Sequence, residues 1–331
     1  MRPVEPSHTP GLTSAHGSEA VAPPLLHSSF YRFVHLANPE AAASELRDLG
    51  RDLGLGGSII VAIEGVNGTV AGMAAQVEEF ERRLGTGAVL HGALSGLSFK
   101  RSACAQPPFG RFKVSVKPEI VALGLPSDVS GLAALPDEHD DSHLSPAAWN
   151  ELLARGDAVV LDNRNHFEFR LGHFRGAVDP GVHHFRDFVR FVEQHAPAWR
   201  AQGRPVAMYC TGGIRCDKTA PWMRSLGLEV FQLEGGILNY LQHAQVEERD
   251  KARHSMEATR ALEADHQGRV PIDLACELLK AWQGECFVFD RRIALDARLR
   301  ETGTKAEQVF DPTHPDEAWR LQRARRLDEA A

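Results

Sequence analysis

Pro205-Val206-Ala207-Met208-Tyr209-Cys210-Thr211-Gly212-Gly213-Ile214-Arg215-Cys216 runs from an apolar stretch into a cysteine, two glycines and an arginine. Val206 to Tyr209 carries the pattern of a short buried strand. A helix is expected from near Cys216 to about Leu226. A cysteine between a strand end and a helix start faces unpaired backbone N–H groups and the positive end of the helix dipole. That setting favours the thiolate, the nucleophilic form of the side chain. Gly212 and Gly213 allow a tight loop, because glycine reaches positive φ without strain. Arg215 adds a permanent positive charge. Thr211, Gly212, Gly213, Ile214, Arg215 and Cys216 thus make a loop for an anionic sulfur, or for an anion bound to it, with Cys210 as the catalytic residue. Cys216 is either a resolving thiol or a packed residue of the first helical turn.

Around this loop the pattern is α/β. Ser145 is placed to cap a helix with Pro146 at its first position, and Trp149, Leu152 and Leu153 form the apolar face. Ala158 to Leu161 reads as a buried strand running into Asp162-Asn163-Arg164. Phe185 to His195 reads as a helix, and Glu229 to Leu233 as a strand ending in Glu234-Gly235-Gly236. Alternating strands and helices predict a parallel sheet covered by helices. Reactive groups in such sheets lie beyond the carboxyl ends of the strands, where Asp162, Cys210 and Glu234 are expected to converge. Asp162, Arg164 and Glu168 are expected to support the loop through ion pairs.

Residues 28–122 have a different rhythm. The expected order is a strand over Ser29–Leu36, a helix over Pro39–Leu53, a strand over Ser58–Ile63 and a turn at Gly65-Val66-Asn67-Gly68. A short strand at Thr69–Ala71, a helix over Met73–Leu84 and strands at Leu97–Ser102 and Phe112–Val116 follow. This order predicts an α+β, ferredoxin-like domain. Lys100, Arg101, Arg111, Lys113 and Lys117 fall between Phe99 and Pro118 with no acid among them. They form either an electropositive strip for a phosphate backbone or the solvated ends of strands.

The remaining segments are expected to be a proline-rich disordered tail (1–27), a linker (123–144) and a helical insertion with a C-terminal extension (244–331). The parallel-sheet domain takes 145–243. The 331 residues suit two domains, and a hydrophobic fraction of 43% suits ordinary cores. A net charge of -7 excludes a generic nucleic-acid sponge. Five cysteines with no CxxC pair argue against a disulfide scaffold and a structural zinc site. Nothing resembles a secretion signal or a membrane span, so a cytoplasmic location is expected.

Cysteine phosphatases place one residue more between Cys and Arg than stands between Cys210 and Arg215, and the tighter ring suits sulfur bound to sulfur. Here the chain resembles the rhodanese family, whose loop cysteine forms a persulfide. Asp162-Asn163-Arg164, Glu168, Gly172-His173-Phe174-Arg175-Gly176-Ala177 and Gly235-Gly236 extend that resemblance. A more specific resemblance rests on four segments in order. They are Ile63-Glu64-Gly65-Val66-Asn67-Gly68-Thr69-Val70, Lys113-Val114-Ser115-Val116-Lys117-Pro118-Glu119-Ile120-Val121, Tyr209 to Cys216, and Gly284-Glu285-Cys286-Phe287-Val288-Phe289-Asp290. Together, from about residue 28 to 300, they resemble the bacterial rhodanese-domain tRNA uridine hydroxylases. The resemblance implies an acylphosphatase-like N-terminal domain, tRNA as partner, and oxygen-dependent hydroxylation of the wobble uridine to 5-hydroxyuridine. Cys210 takes the place of the family's active cysteine.

Molecular oxygen would be the co-substrate, with an unidentified reductant. The sequence carries no metal or flavin signal: no Gly-x-Gly-x-x-Gly follows a strand, and His183-His184 alone is not a metal triad. Cys210 would act either by adding to carbon 6 of the uridine or as a persulfide. Many relatives end in a cysteine-rich tail, whereas Cys286 is the last cysteine here and a basic stretch, Arg320 to Arg326, follows. A sulfurtransferase working through a Cys210 persulfide is the alternative, and a non-catalytic binding module is a third reading. No protein partner is implied.

Overall fold

The computed structural model describes residues 25–125, 141–247, 250 and 281–329. Most of the expected tail, linker and insertion lies outside the described residues.

The N-terminal unit runs β1 (Leu25–Phe33), α1 (Pro39–Asp52), β2 (Gly56–Ala62), β3 (Gly65–Met73), α2 (Ala74–Gly85), β4 (Lys100–Cys104) and β5 (Phe112–Val116). Its sheet order is β4-β1-β3-β2-β5. The first four strands pair antiparallel in the ferredoxin-like arrangement, and β5 adds a parallel edge beside β2. Asn38 accepts the Ala41 N–H and Pro39 opens α1, so the helix starts where the sequence supplies a cap. Both helices cover one face, with Phe30, Leu46, Ile59, Val61, Val66, Val70, Val77, Phe80 and Leu84 as its core. The opposite face carries Ser29, Tyr31, Asn67, Thr69 and Lys100, which share one side by strand alternation and register.

The expected turn at Gly65–Gly68 is in fact the start of β3. Ala62 pairs with Gly65, so the chain reverses at Ile63–Glu64. Gly68 sits in the strand because the ring of Phe30 lies over it: a Cβ there would come 2.8 Å from Phe30 Cζ. Glycine inside a strand here marks a close approach rather than a turn.

The second unit contains β6 (His143–Leu144), α3 (Pro146–Arg155), β7 (Val159–Asp162), α4 (His166–Leu171), β8 (Gly172–Phe174), α5 (Phe188–Ala201), β9 (Val206–Tyr209), α6 (Ile214–Ser225) and β10 (Val230–Leu233), followed by helical residues 236–247. Four strands make a parallel sheet in the order β6-β10-β9-β7. Thus β6 extends the sheet into the stretch expected to be linker. On one face lie Phe188, Val192 and Trp199 of α5 with Ala220 and Met223 of α6. On the other lie Trp149 and Leu152 of α3 with Ile237, Tyr240 and Leu241. All four residues of β9 are buried, as its unbroken apolar run requires.

The C-terminal segment folds back over both units. Residues Trp282–Gly284 pair antiparallel with β8, and Cys286–Phe287 pair with Ala294–Leu295. Arg292 donates to Ser102 Oγ at 2.8 Å, and the Arg291 N–H donates to the Pro108 carbonyl at 3.2 Å. The helix Pro315–Glu329 docks through buried Leu321 and Glu317, and Glu317 accepts from Arg170 at 2.6 Å. The described part of this extension therefore mixes strands and helices. No helix among the described residues is long and apolar enough to cross a membrane.

Candidate active site

Cys210 stands one residue past β9, fully buried, with its sulfur at the start of α6. Gly213 donates its N–H to Cys210 Sγ at 3.1 Å. Burial pushes the Cys210 thiol up. The Cys216 thiol, the Arg215 charge and the N–H groups of Cys216 and Arg215 outweigh burial and bring it down to about 6. Cys216 shows the complementary shift: burial and its hydrogen bond to Cys210 hold it well above its usual value. One sulfur is thus the thiolate and the other its proton-bearing donor.

Two glycines make the loop possible. Gly213 has φ +100, and a Cβ there would stand 2.6 Å from Tyr31 Oη. Gly236 lies behind the loop, where a Cβ would stand 2.9 Å from both Gly212 N and Gly213 N. The loop carbonyls of Cys210 and Thr211 accept the N–H groups of Ile237 and Leu238 at 3.0 and 3.1 Å. A Cβ on Gly212 would meet nothing within 4 Å, so the loop opens on that side.

Arg215 does not point its donors at the sulfur. It forks Glu168, donating through Nη1 and Nη2 at 2.8 Å each, and Thr211 Oγ1 lies 3.4 Å from Glu168 Oε1. Burial alone would raise the Glu168 carboxyl, but Arg215 outweighs it and holds the group below its usual range. Asp162 and Arg164 make a second buried fork at 2.6–2.8 Å, and Arg164 also donates to the Gly172 carbonyl at 2.6 Å. Asp162, Arg164 and Glu168 are therefore all engaged in ion pairs, as buried charges must be.

The N-terminal unit completes the site. Tyr31 of β1 donates to Asp217 Oδ2 of α6 at 2.8 Å, and His143 Nε2 of β6 sits 3.1 Å from Asp217 Oδ1. Lys100 of β4 places Nζ 5.0 Å from the centroid of the Tyr31 ring. Its charge is pushed down by burial and held by Asp217, Cys210 and Glu234. One turn beyond Arg215, Lys218 inserts Nζ between Glu64 (2.8 and 2.7 Å) and Glu119 (2.6 Å). That triad, with Lys218 and Glu64 buried and Glu119 partly so, ties α6 to the turn after β2 and to the segment after β5. From the C-terminal segment, Phe289 lies 5.9 Å from the Arg215 guanidinium.

The basic residues do not share one surface. Lys100 turns into the site, and Arg101, on the helix side, pairs with Glu81 of α2. Arg111, Lys113 and Lys117 are exposed along and around β5. Tyr31, Lys218 and Phe289 were not among the expected site residues. The signal for Tyr31 was present, because it alternates with core Phe30. Lys218 is polar on the buried side of a helix, which marks a partner from elsewhere.

Residues 26–120 match the UPF0176 acylphosphatase like domain and residues 145–243 the rhodanese-like domain. The chain is thus a rhodanese-type cysteine protein with an acylphosphatase-like domain built against its loop. The tRNA uridine(34) hydroxylase of Deinococcus radiodurans is 38% identical over 84% of this chain and 78% of its own. That of Synechococcus elongatus is 40% identical over 83% and 87%, and that of Bradyrhizobium diazoefficiens 38% over 83% and 92%. The chain belongs to the tRNA uridine(34) hydroxylase family. Among the described residues, no group of three or more His, Cys, Asp or Glu is placed to hold a metal ion.

Proposed function

We propose that this protein hydroxylates carbon 5 of the wobble uridine of tRNA, with molecular oxygen as co-substrate. The observation that carries the reading is the Cys210 thiolate, lowered to about 6 and enclosed jointly by the rhodanese loop and by Tyr31 and Lys100 of the other domain. Small-molecule sulfur transfer has no need of that second domain. The relatives' names supply the substrate.

The chemistry follows from a soft nucleophile and an electron-poor pyrimidine. The thiolate adds to carbon 6 and leaves an enolate whose charge reaches carbon 5. Carbon 5 then takes up oxygen and a proton to give a hydroperoxide. Two electrons and two protons from a reductant cleave the O–O bond: one oxygen stays as hydroxyl and the other leaves as water. Loss of the carbon 5 proton expels the Cys210 thiolate and restores the double bond. The Lys100 charge, which feels Cys210, supplies a cation to stabilise the enolate in this reading.

The test is mass analysis of tRNA nucleosides from a deletion strain complemented with wild type or Cys210→Ser. Wild type is expected to restore 5-hydroxyuridine and the serine variant to give none, since a hydroxyl is not ionised near neutral pH. Unchanged 5-hydroxyuridine in the deletion strain overturns the reading. Thiosulfate-to-cyanide sulfur transfer at enzymatic rates, without nucleoside change, would favour the sulfurtransferase.

A further inference from the structure

The surface beside the loop carries aromatic groups that the fold does not need. Among the described residues five large hydrophobics are exposed, and the two aromatic ones, Phe289 (61%) and Trp319 (50%), both lie on the Arg215 side of the site. A continuous set of contacts joins them to it. Phe289 is 5.9 Å from the Arg215 guanidinium and 5.0 Å, edge to face, from Phe287. Phe287 is 5.0 Å from Phe167, and the Arg320 guanidinium is 5.0 Å from the Phe167 ring. Trp319 then has Arg320 at 6.0 Å and Arg323 at 5.7 Å from its ring centroid. The Arg320 charge feels both members of the loop's ion pair, Glu168 and Arg215. Arg320 donates one bond, to the His183 carbonyl at 3.2 Å, while its Nε is buried without a partner. Phe287 and Phe167 are buried and form the floor; Phe289 and Trp319 are the surface.

The helix that carries Trp319 is anchored at its start. Glu317 is buried and accepts from Arg170 and from the Asp311 N–H, and Leu321 enters the core with Phe167 and Phe310. Trp319 is thus held outward on a fixed element. Exposed rings interleaved with arginines match one ligand chemistry, unpaired bases on a phosphate chain: rings stack on base faces, and guanidinium groups meet phosphates. A folded protein partner would ask for a larger apolar patch without the cations. The net charge of -7 makes the local arginines the means by which a polyanion is met on this side.

We propose that Phe289 and Trp319, with Arg320 and Arg323, form a stacking platform for the unpaired RNA nucleotides that flank the base reaching Cys210. The inference rests on the tRNA reading above and adds to it the element that holds the single strand. A base must leave its stack to reach a buried sulfur, and its neighbours then need new faces to stack on.

The test uses the full chain and a fluorescently labelled anticodon stem–loop RNA, read by anisotropy. Phe289→Ala and Trp319→Ala are each expected to weaken binding about five- to hundredfold, the range for loss of one base–aromatic stack. Trp319→Phe is expected to stay within a few fold of wild type, and Trp319→Leu to fall with the alanine variant. Arg323→Glu should weaken binding and flatten its salt dependence. Because Phe289 touches Phe287, thermal unfolding of each variant separates a missing platform from a damaged fold, and solvent-facing Trp319 carries the decision. If Trp319→Ala binds within twofold of wild type, or Trp319→Leu binds as well as Trp319→Phe, the platform is wrong while the tRNA reading stands. If wild type binds the stem–loop no better than a fully paired RNA of equal length, the tRNA reading falls and the platform with it.

Discussion

At the scale of single residues the site is a contest between burial and donors around one sulfur. Burial opposes the charge on Cys210, and the Cys216 thiol contributes the largest opposing effect, ahead of Arg215. Cys216→Ala should therefore raise the Cys210 pKa from about 6 toward the ordinary 9.0. The far-ultraviolet thiolate absorbance, taken as a pH-dependent difference against Cys210→Ser, measures this directly. An unmoved titration in Cys216→Ala would remove Cys216 from the site. The sign extends to stability. An acid whose folded pKa is depressed stabilises the fold fully above its unfolded value, near 9, and loses that contribution as pH falls through about 6. The nucleophile was legible in sequence because strand, cysteine, glycines and arginine are contiguous. The donor role of Cys216 was not, because a resolving thiol and a packed one look alike until both sulfurs are placed. Lys100 and Arg101 give a sharper lesson. Adjacent strand residues point to opposite faces, so a run of basic residues along a strand cannot be a single surface.

At the scale of elements, α6 does most of the positioning. Its first turn holds the sulfur, Arg215 reaches back to α4, and Lys218 joins the two domains. Lys218 is buried between two carboxylates, and Glu64 also accepts the Ile120 N–H at 2.7 Å. Removing the cation leaves Glu64 buried and uncompensated, which costs about 3–5 kcal/mol. Lys218→Ala is expected to lose that much in denaturant unfolding, whereas the triple change Lys218→Met, Glu64→Gln, Glu119→Gln should recover part of it. A loss below about 1 kcal/mol, the worth of an exposed pair, would mean that the triad is hydrated. Element identity was well marked by periodicity and caps. Boundaries failed where glycine served packing, as at Gly68, and where an edge strand as short as His143–Leu144 gave no periodic signal. The four motifs that carried the family resemblance prove to converge around one loop. Glu64 and Glu119 meet Lys218, and Phe289 meets Arg215. Sequence order hid this, because residues so far apart are joined only by the fold.

At the scale of the whole molecule, an acidic protein has to meet a polyanion. With a net charge of -7, long-range attraction is absent, and binding must come from cations placed locally. Among the described residues, exposed cations include Arg111, Lys113 and Lys117 around β5, and Arg323 on the C-terminal helix. Of the five basic residues noted between Phe99 and Pro118, Lys100 lies against Tyr31 and Arg101 is paired with Glu81, which leaves the other three as the ones proposed to face phosphate. Every phosphate that a cation no longer neutralises takes about 0.7 to 0.9 off the slope of log affinity against log salt, for single-stranded and duplex nucleic acid respectively. The pair Lys113→Glu and Lys117→Glu should thus weaken tRNA binding and flatten that slope by about 1.4 to 1.8, with the larger effect at low salt. Both side chains are exposed, so unfolding should move little. On the proposed tRNA reading, phosphate contacts position the substrate rather than take part in the chemistry, so the same pair should raise KM for tRNA more than it lowers kcat. A slope unchanged within error would assign the backbone contacts to the C-terminal arginines. An equal fall in kcat with KM unchanged would place Lys113 and Lys117 in the chemistry instead, which no contact of theirs with the Cys210 loop supports.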